Sequence, residues 1–212
     1  MPAAYQHRHS LPEIMTHRHP TDSLQMPASL AERPVVPSPH RCHCSPWLLS
    51  VAYRFGQHIV FPSFFGKIEV RGQENLPGTG PVILAPTHKS RWDGIVVPFA
   101  AGRYVTGRDL RYMVSADEMK GFQGCLLSKL GGFPIDQRRP SLSSFRHAIE
   151  LLNQGEMLVI FPEGGIYRDH HVHTLKPGLA RLALLSHDTQ AAQPVQIVPM
   201  ALRYSHARPA WG

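Results

Sequence analysis

The stretch Pro81-Val82-Ile83-Leu84-Ala85-Pro86-Thr87-His88-Lys89-Ser90-Arg91-Trp92-Asp93-Gly94 joins the two kinds of element from which the chain is built. Residues 82–85 form a short apolar run closed off by prolines, the pattern of a buried strand. Similar runs, each bounded by turn residues, recur at 68–70, 112–114, 133–135, 157–161 and 195–202. Between them lie helical patterns, notably 141–152, where Phe145, Ala148, Ile149 and Leu152 share one face, and 178–186. Strands that alternate with helices imply an α/β fold: a single domain with a mixed, mostly parallel sheet flanked by helices.

Just beyond the first of these strands, His88 and Asp93 stand five residues apart. On a continuous helix that offset turns two side chains about 140° away from each other. They can meet only if His88 sits on the loop at the strand end, with Ser90 as helix N-cap and Asp93 as third helical residue. An imidazole there can take a proton from an attacking hydroxyl near neutral pH, and a carboxylate on its other nitrogen would fix the tautomer. The chain has no G-x-S-x-G elbow, so the hydroxyl would belong to the substrate. Ser90 and Asp93 also satisfy an S-x-x-D capping box, so this pair alone leaves a catalytic and a structural reading open.

The 212 residues suffice for one core, and three stretches differ in character. Residues 1–45 hold seven of the twenty prolines and six of the fourteen histidines with little apolar periodicity, which predicts a disordered arm. Residues 46–66, PWLLSVAYRFGQHIVFPSFFG, are rich in Trp, Tyr, Phe and Leu but carry Arg54, Gln57, His58 and Pro62. That falls short of the roughly 20 apolar residues of a membrane span and suits an amphipathic segment at the head-group level, or equally one packed on the core. Residues 67–212 form the remaining domain, whose C-terminal end stops soon after the last strand and would be shortened if a further element belongs there.

The formal net charge is +7. The arm balances four arginines against three acids, so most of the excess falls on the rest and favours anionic partners. The basic residues are scattered rather than striped and no nucleic-acid-binding motif is present, which ranks a nucleic-acid partner low. Cys42, Cys44 and Cys125 do not make a disulfide framework, and Cys42-His43-Cys44 lacks a second pair of ligands for zinc. No export signal is recognisable.

A second block decides between the two readings of His88 and Asp93. The 157–161 run leads into Phe161-Pro162-Glu163-Gly164-Gly165, a turn whose glycines permit close backbone approach to a ligand. Together, His88 to Asp93 and Phe161 to Gly164, 75 residues apart from His88 to Glu163, resemble the phospholipid/glycerol acyltransferase family, which includes bacterial 1-acylglycerol-3-phosphate acyltransferases. Gly131-Gly132-Phe133-Pro134-Ile135-Asp136-Gln137-Arg138-Arg139 is similar to that family's G-x-x-F-I-D-R, with Gln137 in the arginine's place. Val198-Pro199-Met200-Ala201 looks like its closing strand, and Lys176-Pro177-Gly178-Leu179-Ala180 fits its K-x-G-x-A block. The usual T-R-S after F-P-E-G is replaced by Gly165-Ile166-Tyr167, followed by Arg168 and the polar Asp169, His170, His171 and His173, which read as a solvated loop rather than a metal site.

The resemblance implies a glycerolipid acyltransferase-like fold and a membrane-associated enzyme, peripheral or monotopic, at the cytoplasmic face. An acyl thioester, from acyl-CoA or acyl carrier protein, would donate to the sn-2 hydroxyl of 1-acylglycerol-3-phosphate and give phosphatidic acid for phospholipid biosynthesis. Neither a metal nor another cofactor is implied. His88 would be the base and Asp93 its orienting partner, with backbone N–H groups near the helix start stabilising the oxyanion. Arg138 or Arg139 would hold the acceptor's phosphate, with Phe161, Pro162, Glu163 and Gly164 completing the substrate site. The alternatives are another acceptor, such as glycerol-3-phosphate or a different lysolipid, and a non-catalytic anionic-lipid-binding module.

Overall fold

The computed structural model describes residues 44–65, 67–136, 142–188 and 193–205. Nearly all of the 1–45 arm, with Cys42 and His43, lies outside the described residues, as do Gln137, Arg138 and Arg139. In chain order the elements are α1 (Pro46–Phe55), α2 (Phe61–Phe64), β1 (Val82–Pro86), α3 (Asp93–Ala101), α4 (Arg103–Thr106), β2 (Leu110–Ser115), α5 (Gly121–Lys129), β3 (Gly132–Ile135), α6 (Leu142–Asn153), β4 (Met157–Val159), α7 (Gly178–Asp188) and β5 (Gln196–Met200).

The five strands make one sheet in the order β3-β2-β4-β1-β5, and each neighbouring pair is parallel. A parallel partner requires a crossover, which the intervening helices supply. Strands covered on both faces read as unbroken apolar runs, and β1 and β4 are of this kind. Val82 and Leu84 pack with Met157, Val159 and Leu110 against Val97 and Ala101 of α3. Ile83 and Leu158 point the other way, into Phe133 of β3, into Ala148, Leu151 and Leu152 of α6, and into Leu182 of α7. β1 and β4 lie side by side, yet the chain leaves β1 for α3 on one face and leaves β4 for α7 on the other. A crevice therefore opens between their C-terminal ends, the place where open α/β sheets bind ligands.

Three expectations from sequence need correction. Residues 68–70 form no strand, because their short alternating run has no neighbouring strand to pair with. β4 ends at Val159 rather than at 161: Ile160 N still donates to Leu84 O at 3.0 Å, but Pro162 has no N–H and Gly164, at φ 64°, turns the chain away. α3 starts at Asp93 itself, so Asp93 is the first helical residue and not the third. Residues 91–92 form a turn closed by Asp93 N on Ser90 O at 3.1 Å, and the Ser90 hydroxyl accepts only from Trp92 N at 3.2 Å.

Residues 46–65 fold back on the domain. Ser45 caps α1 by accepting from Leu48 N, and Pro46 occupies the first turn. A π-helical turn at Gly56–Val60 carries the helix on into α2. The Tyr53 hydroxyl accepts from Arg103 N at 3.2 Å, while the Arg103 guanidinium grips both oxygens of Asp109 at 2.8 and 2.7 Å and donates to Ser50 Oγ at 2.6 Å. Burial and the approach of Asp109 raise the Tyr53 phenol above its ordinary pKa despite the Arg103 N–H, so it stays a neutral acceptor.

Gly102 is what allows this approach. A Cβ there would run into the Tyr53 hydroxyl and come within 2.5 Å of the Pro98 carbonyl oxygen, part of the helix backbone. Gly102→Ala should therefore destabilise the protein by about 1–3 kcal/mol, in the range of overpacked sites. Gly78→Ala, with no atom within 4 Å of its Cβ, should stay within about 0.5 kcal/mol of wild type. Urea denaturation of the two variants checks both numbers.

Candidate active site

Where β1 ends, the backbone is tied to both neighbours. Thr87 N donates to Met200 O at 2.9 Å, and Leu202 N donates to the Thr87 hydroxyl at 2.9 Å, which extends the β1–β5 contact past the strand. His88 N donates to Glu163 Oε2 at 2.9 Å, across to the turn after β4. Tyr167 N returns a bond to His88 O at 2.8 Å. The residue next to the crevice is thus clamped through its own N–H and C=O before its side chain is considered.

The imidazole is placed by two further contacts. Its Nδ1 lies 2.9 Å from Asp93 Oδ2, so Nδ1 carries the proton and Nε2 keeps its lone pair. The ring stacks on Phe161 with centroids 4.0 Å apart and planes 20° apart. The five-residue spacing works because His88 is on the loop and Asp93 opens the helix. Asp93 is fully buried, and its Oδ2 also accepts from Lys89 N at 2.6 Å and Ser90 N at 2.9 Å. Its other oxygen accepts from the Tyr204 hydroxyl at 2.6 Å.

Glu163 is buried as well, at 1 % exposure, and its second oxygen accepts from His173 N at 2.9 Å. Both oxygens are spent on backbone donors, with the Lys89 ammonium 3.9 Å away, so the carboxylate positions the loops instead of facing the crevice. Lys89 is itself nearly buried and donates to His171 O at 2.6 Å. The Asp169-to-His173 stretch closes on itself: His173 Nε2 lies 2.7 Å from Asp169 Oδ2, and the His173 ring stacks on Tyr167 at 3.8 Å. That imidazole, aided by His171 N and Lys89, holds the Asp169 carboxyl below the usual carboxylate range.

The loop N–H groups of residues 88, 89 and 90 are all committed to Glu163 and Asp93. The oxyanion donors expected near the helix start therefore cannot be these three. Phe161, Pro162 and Gly164 line a cavity of about 1220 Å³ together with His88. Its walls are mainly apolar and come from both faces of the sheet: Tyr53, Phe61 and Tyr112 on the α3 side, Phe145, Ile160 and Leu179 on the α6 and α7 side. Arg91, Lys176 and Arg181 add positive charge to the lining, and Lys176 Nζ rests 3.3 Å from Gly164 O.

The crevice thus brings together His88, Asp93, Phe161, Pro162, Glu163 and Gly164, with His88 and Glu163 in contact across 75 residues of sequence. Sequence reasoning missed Tyr204, Lys89 and the cationic lining. Lys176 carried a signal in the K-x-G-x-A block, whereas Tyr204 stands 111 residues from its partner with no motif around it.

Comparison with known proteins gives the same picture. The acyltransferase family model matches residues 67–203. A 1-acyl-sn-glycerol-3-phosphate acyltransferase of Bacillus subtilis is 32% identical over 106 residues, 50% of this chain and 51% of that protein. The mitochondrial glycerol-3-phosphate acyltransferase 1 of Bos taurus is 26% identical over 163 residues, 68% of this chain and 20% of its own length. The chain therefore spans about half of the one relative and a fifth of the other. The crystal structure of the 1-acyl-sn-glycerophosphate acyltransferase from Thermotoga maritima shares the fold, with a TM-score of 0.53 and 22% identity over 71% of this chain and 55% of that one. With a match that takes in both His88-to-Asp93 and Phe161-to-Gly164, the chain belongs to the acyltransferase family.

Proposed function

We propose that this chain transfers a fatty-acyl group from an acyl thioester, acyl-CoA or acyl carrier protein, to the sn-2 hydroxyl of 1-acylglycerol-3-phosphate at a membrane surface. The observation that carries this reading is a single one: the His88–Asp93 pair opens onto a large, mainly apolar cavity that reaches both faces of the sheet. Its volume lies above the ~300–1,000 Å³ typical of small-molecule sites. An acceptor such as glycerol-3-phosphate brings no chain of its own and needs apolar wall only for the donor. A lysolipid brings a second chain, and a cavity walled on two sheet faces has somewhere to put it.

In this mechanism His88 Nε2 takes the proton of the acceptor hydroxyl as the oxygen attacks the thioester carbonyl. The tetrahedral adduct collapses with cleavage of the C–S bond, and the proton on Nε2 goes to the leaving thiolate. Asp93 holds the Nδ1 proton and stabilises the imidazolium between the two transfers. Phe161 keeps the ring flat against the turn, and Pro162 and Gly164 shape the wall beside it. Arg91, Lys176 and Arg181 supply the cationic surroundings that a phosphate needs, in addition to Arg138 or Arg139.

The membrane part of the proposal rests on α1 and the turns after it. Trp47, Val51, Phe55 and Ile59 recur every fourth residue, and all are exposed, Trp47 by 73%. Leu49, Tyr53, Gly56 and Val60 of the same segment line the cavity, and Phe55 borders it at the edge of the exposed row. One helical segment thus offers an apolar face to the site and another to its surroundings, an arrangement suited to lying in the head-group layer of the cytoplasmic face. No helix among the described residues is long and apolar enough to cross a membrane.

Release of thiol from acyl-CoA should require 1-acylglycerol-3-phosphate and proceed far more slowly with glycerol-3-phosphate, as followed by a thiol-reactive dye. His88→Ala should lower kcat by about 10²–10⁴-fold and Asp93→Asn by a comparable factor, with the circular-dichroism spectrum unchanged. Normal turnover by a folded His88→Ala protein would sink the mechanism. In a vesicle co-sedimentation assay, replacing Trp47 and Phe55 together by Ala should reduce binding to anionic phospholipid at least tenfold, in keeping with the apolar area removed.

A further inference from the structure

We infer that Tyr204 is a positioning residue of the site: its hydroxyl, through Asp93, sets how tightly His88 holds its proton. The inference rests on the proposed role of His88 as base. Tyr204 follows β5 by four residues and lies just past the stretch matched by the family model, which ends at 203. Its hydroxyl donates to Asp93 Oδ1 at 2.6 Å, the oxygen that the imidazole and the two loop N–H groups leave unused. Its ring lies 6.4 Å from that of Phe65, which in turn meets Trp92 edge-on at 5.6 Å, immediately before Asp93.

A carboxylate divided among several donors has less negative charge to offer any one of them. With the Tyr204 donor in place, part of the Asp93 charge is drawn away from the His88 side. Removing the donor concentrates that charge on the imidazole and favours its protonated form. Tyr204 itself does not interfere by ionising, because burial, together with the hydrogen bond to Asp93, drives its phenol far above the ordinary range. Among the described residues, the other charged groups about the pair are Glu163 on the His88 N–H, Lys89 beside it, and Arg91, Glu118, Lys176 and Arg181 on the cavity lining, where Arg91 pairs with Glu118 at 3.6 Å. Behind Glu163, His173 and Asp169 pair with each other. Tyr204→Phe alters none of these and keeps the ring against Phe65, so the change it makes is confined to one donor.

The test is a pH titration of the His88 ring by NMR, with the resonance assigned by its loss in His88→Ala. In Tyr204→Phe the ring should titrate at higher pH than in wild type. With 3-fluorotyrosine at 204, a more acidic phenol and a stronger donor, the shift should reverse. In the thiol-release assay with 1-acylglycerol-3-phosphate, the acid limb of kcat/KM should move with the ring, upward in Tyr204→Phe and downward with 3-fluorotyrosine. A His88 titration that is the same in all three proteins overturns the inference, even if Tyr204→Phe is less stable, since a merely structural tyrosine would alter stability and leave the titration in place. Because the titration needs no turnover, it stands apart from the acyl-transfer reading: absence of thiol release would defeat that reading while the shift still decides the role of Tyr204.

Discussion

A carboxylate buried away from water persists as an anion only if donors surround it, and the site is organised by that requirement at Asp93. The side chain is fully buried and gathers the His88 imidazole, the backbone N–H groups of Lys89 and Ser90, and the Tyr204 hydroxyl. To bring the two N–H groups within reach, the loop must curl back over the first turn of α3, and this is the bend that turns the His88 ring toward the helix. Removing the carboxylate would leave several donors unmet at once, so the loop conformation and the orientation of the imidazole are one property, not two. Glu163 repeats the device on the neighbouring strand: it is buried too, and it ties His88 N to His173 N.

Parallel strand order explains why two buried carboxylates end up on either side of one histidine. β1 and β4 are adjacent, but their following helices lie on opposite faces, so neither of these helices covers the ends of the two strands. The backbone groups there cannot continue the sheet ladder and would lack partners if left alone. Carboxylates carried on the same loops provide acceptors, and the loops become rigid while the crevice between them remains open to the cavity. Rigid loops over an open crevice are what a base needs if its Nε2 is to meet a substrate hydroxyl in a fixed direction.

The sheet was legible because buried parallel strands leave an unmistakable trace, short apolar runs punctuated by proline and glycine, and five of the six such runs are strands. The sixth, 68–70, has the same local composition and fails for a non-local reason, the lack of a pairing partner. His88 and Asp93 were legible through spacing, and Phe161 to Gly164 through the turn chemistry of proline and glycine. What spacing could not reveal is where hydrogen bonds go. The mistaken helix start came from treating Ser90 as the cap, when the longer reach of a buried Asp93 carboxylate captured the loop N–H groups first. Tyr204 was invisible because its contact joins positions 111 residues apart, and a lone tyrosine after a strand has no local pattern. Arg138 and Arg139 lie outside the described residues, so the structure adds nothing to their sequence-based role.

The loop after the Phe161-to-Gly164 turn shows how a family motif can change in its side chains and keep its mechanical part. Where the related pattern has T-R-S, this chain has Gly165, Ile166 and Tyr167, and Tyr167 N closes onto His88 O at 2.8 Å. That bond uses the backbone alone and tolerates almost any residue other than proline. The Tyr167 side chain is freed for a different task and stacks on His173, whose N–H holds Glu163 and whose ring pairs with Asp169. The support of His88 therefore depends on main-chain geometry that the substitution leaves intact. Positive charge near the crevice comes instead from Lys176, Arg181 and Arg91 on the surrounding walls. Replacement of the T-R-S side chains thus leaves the main-chain support of His88 in place.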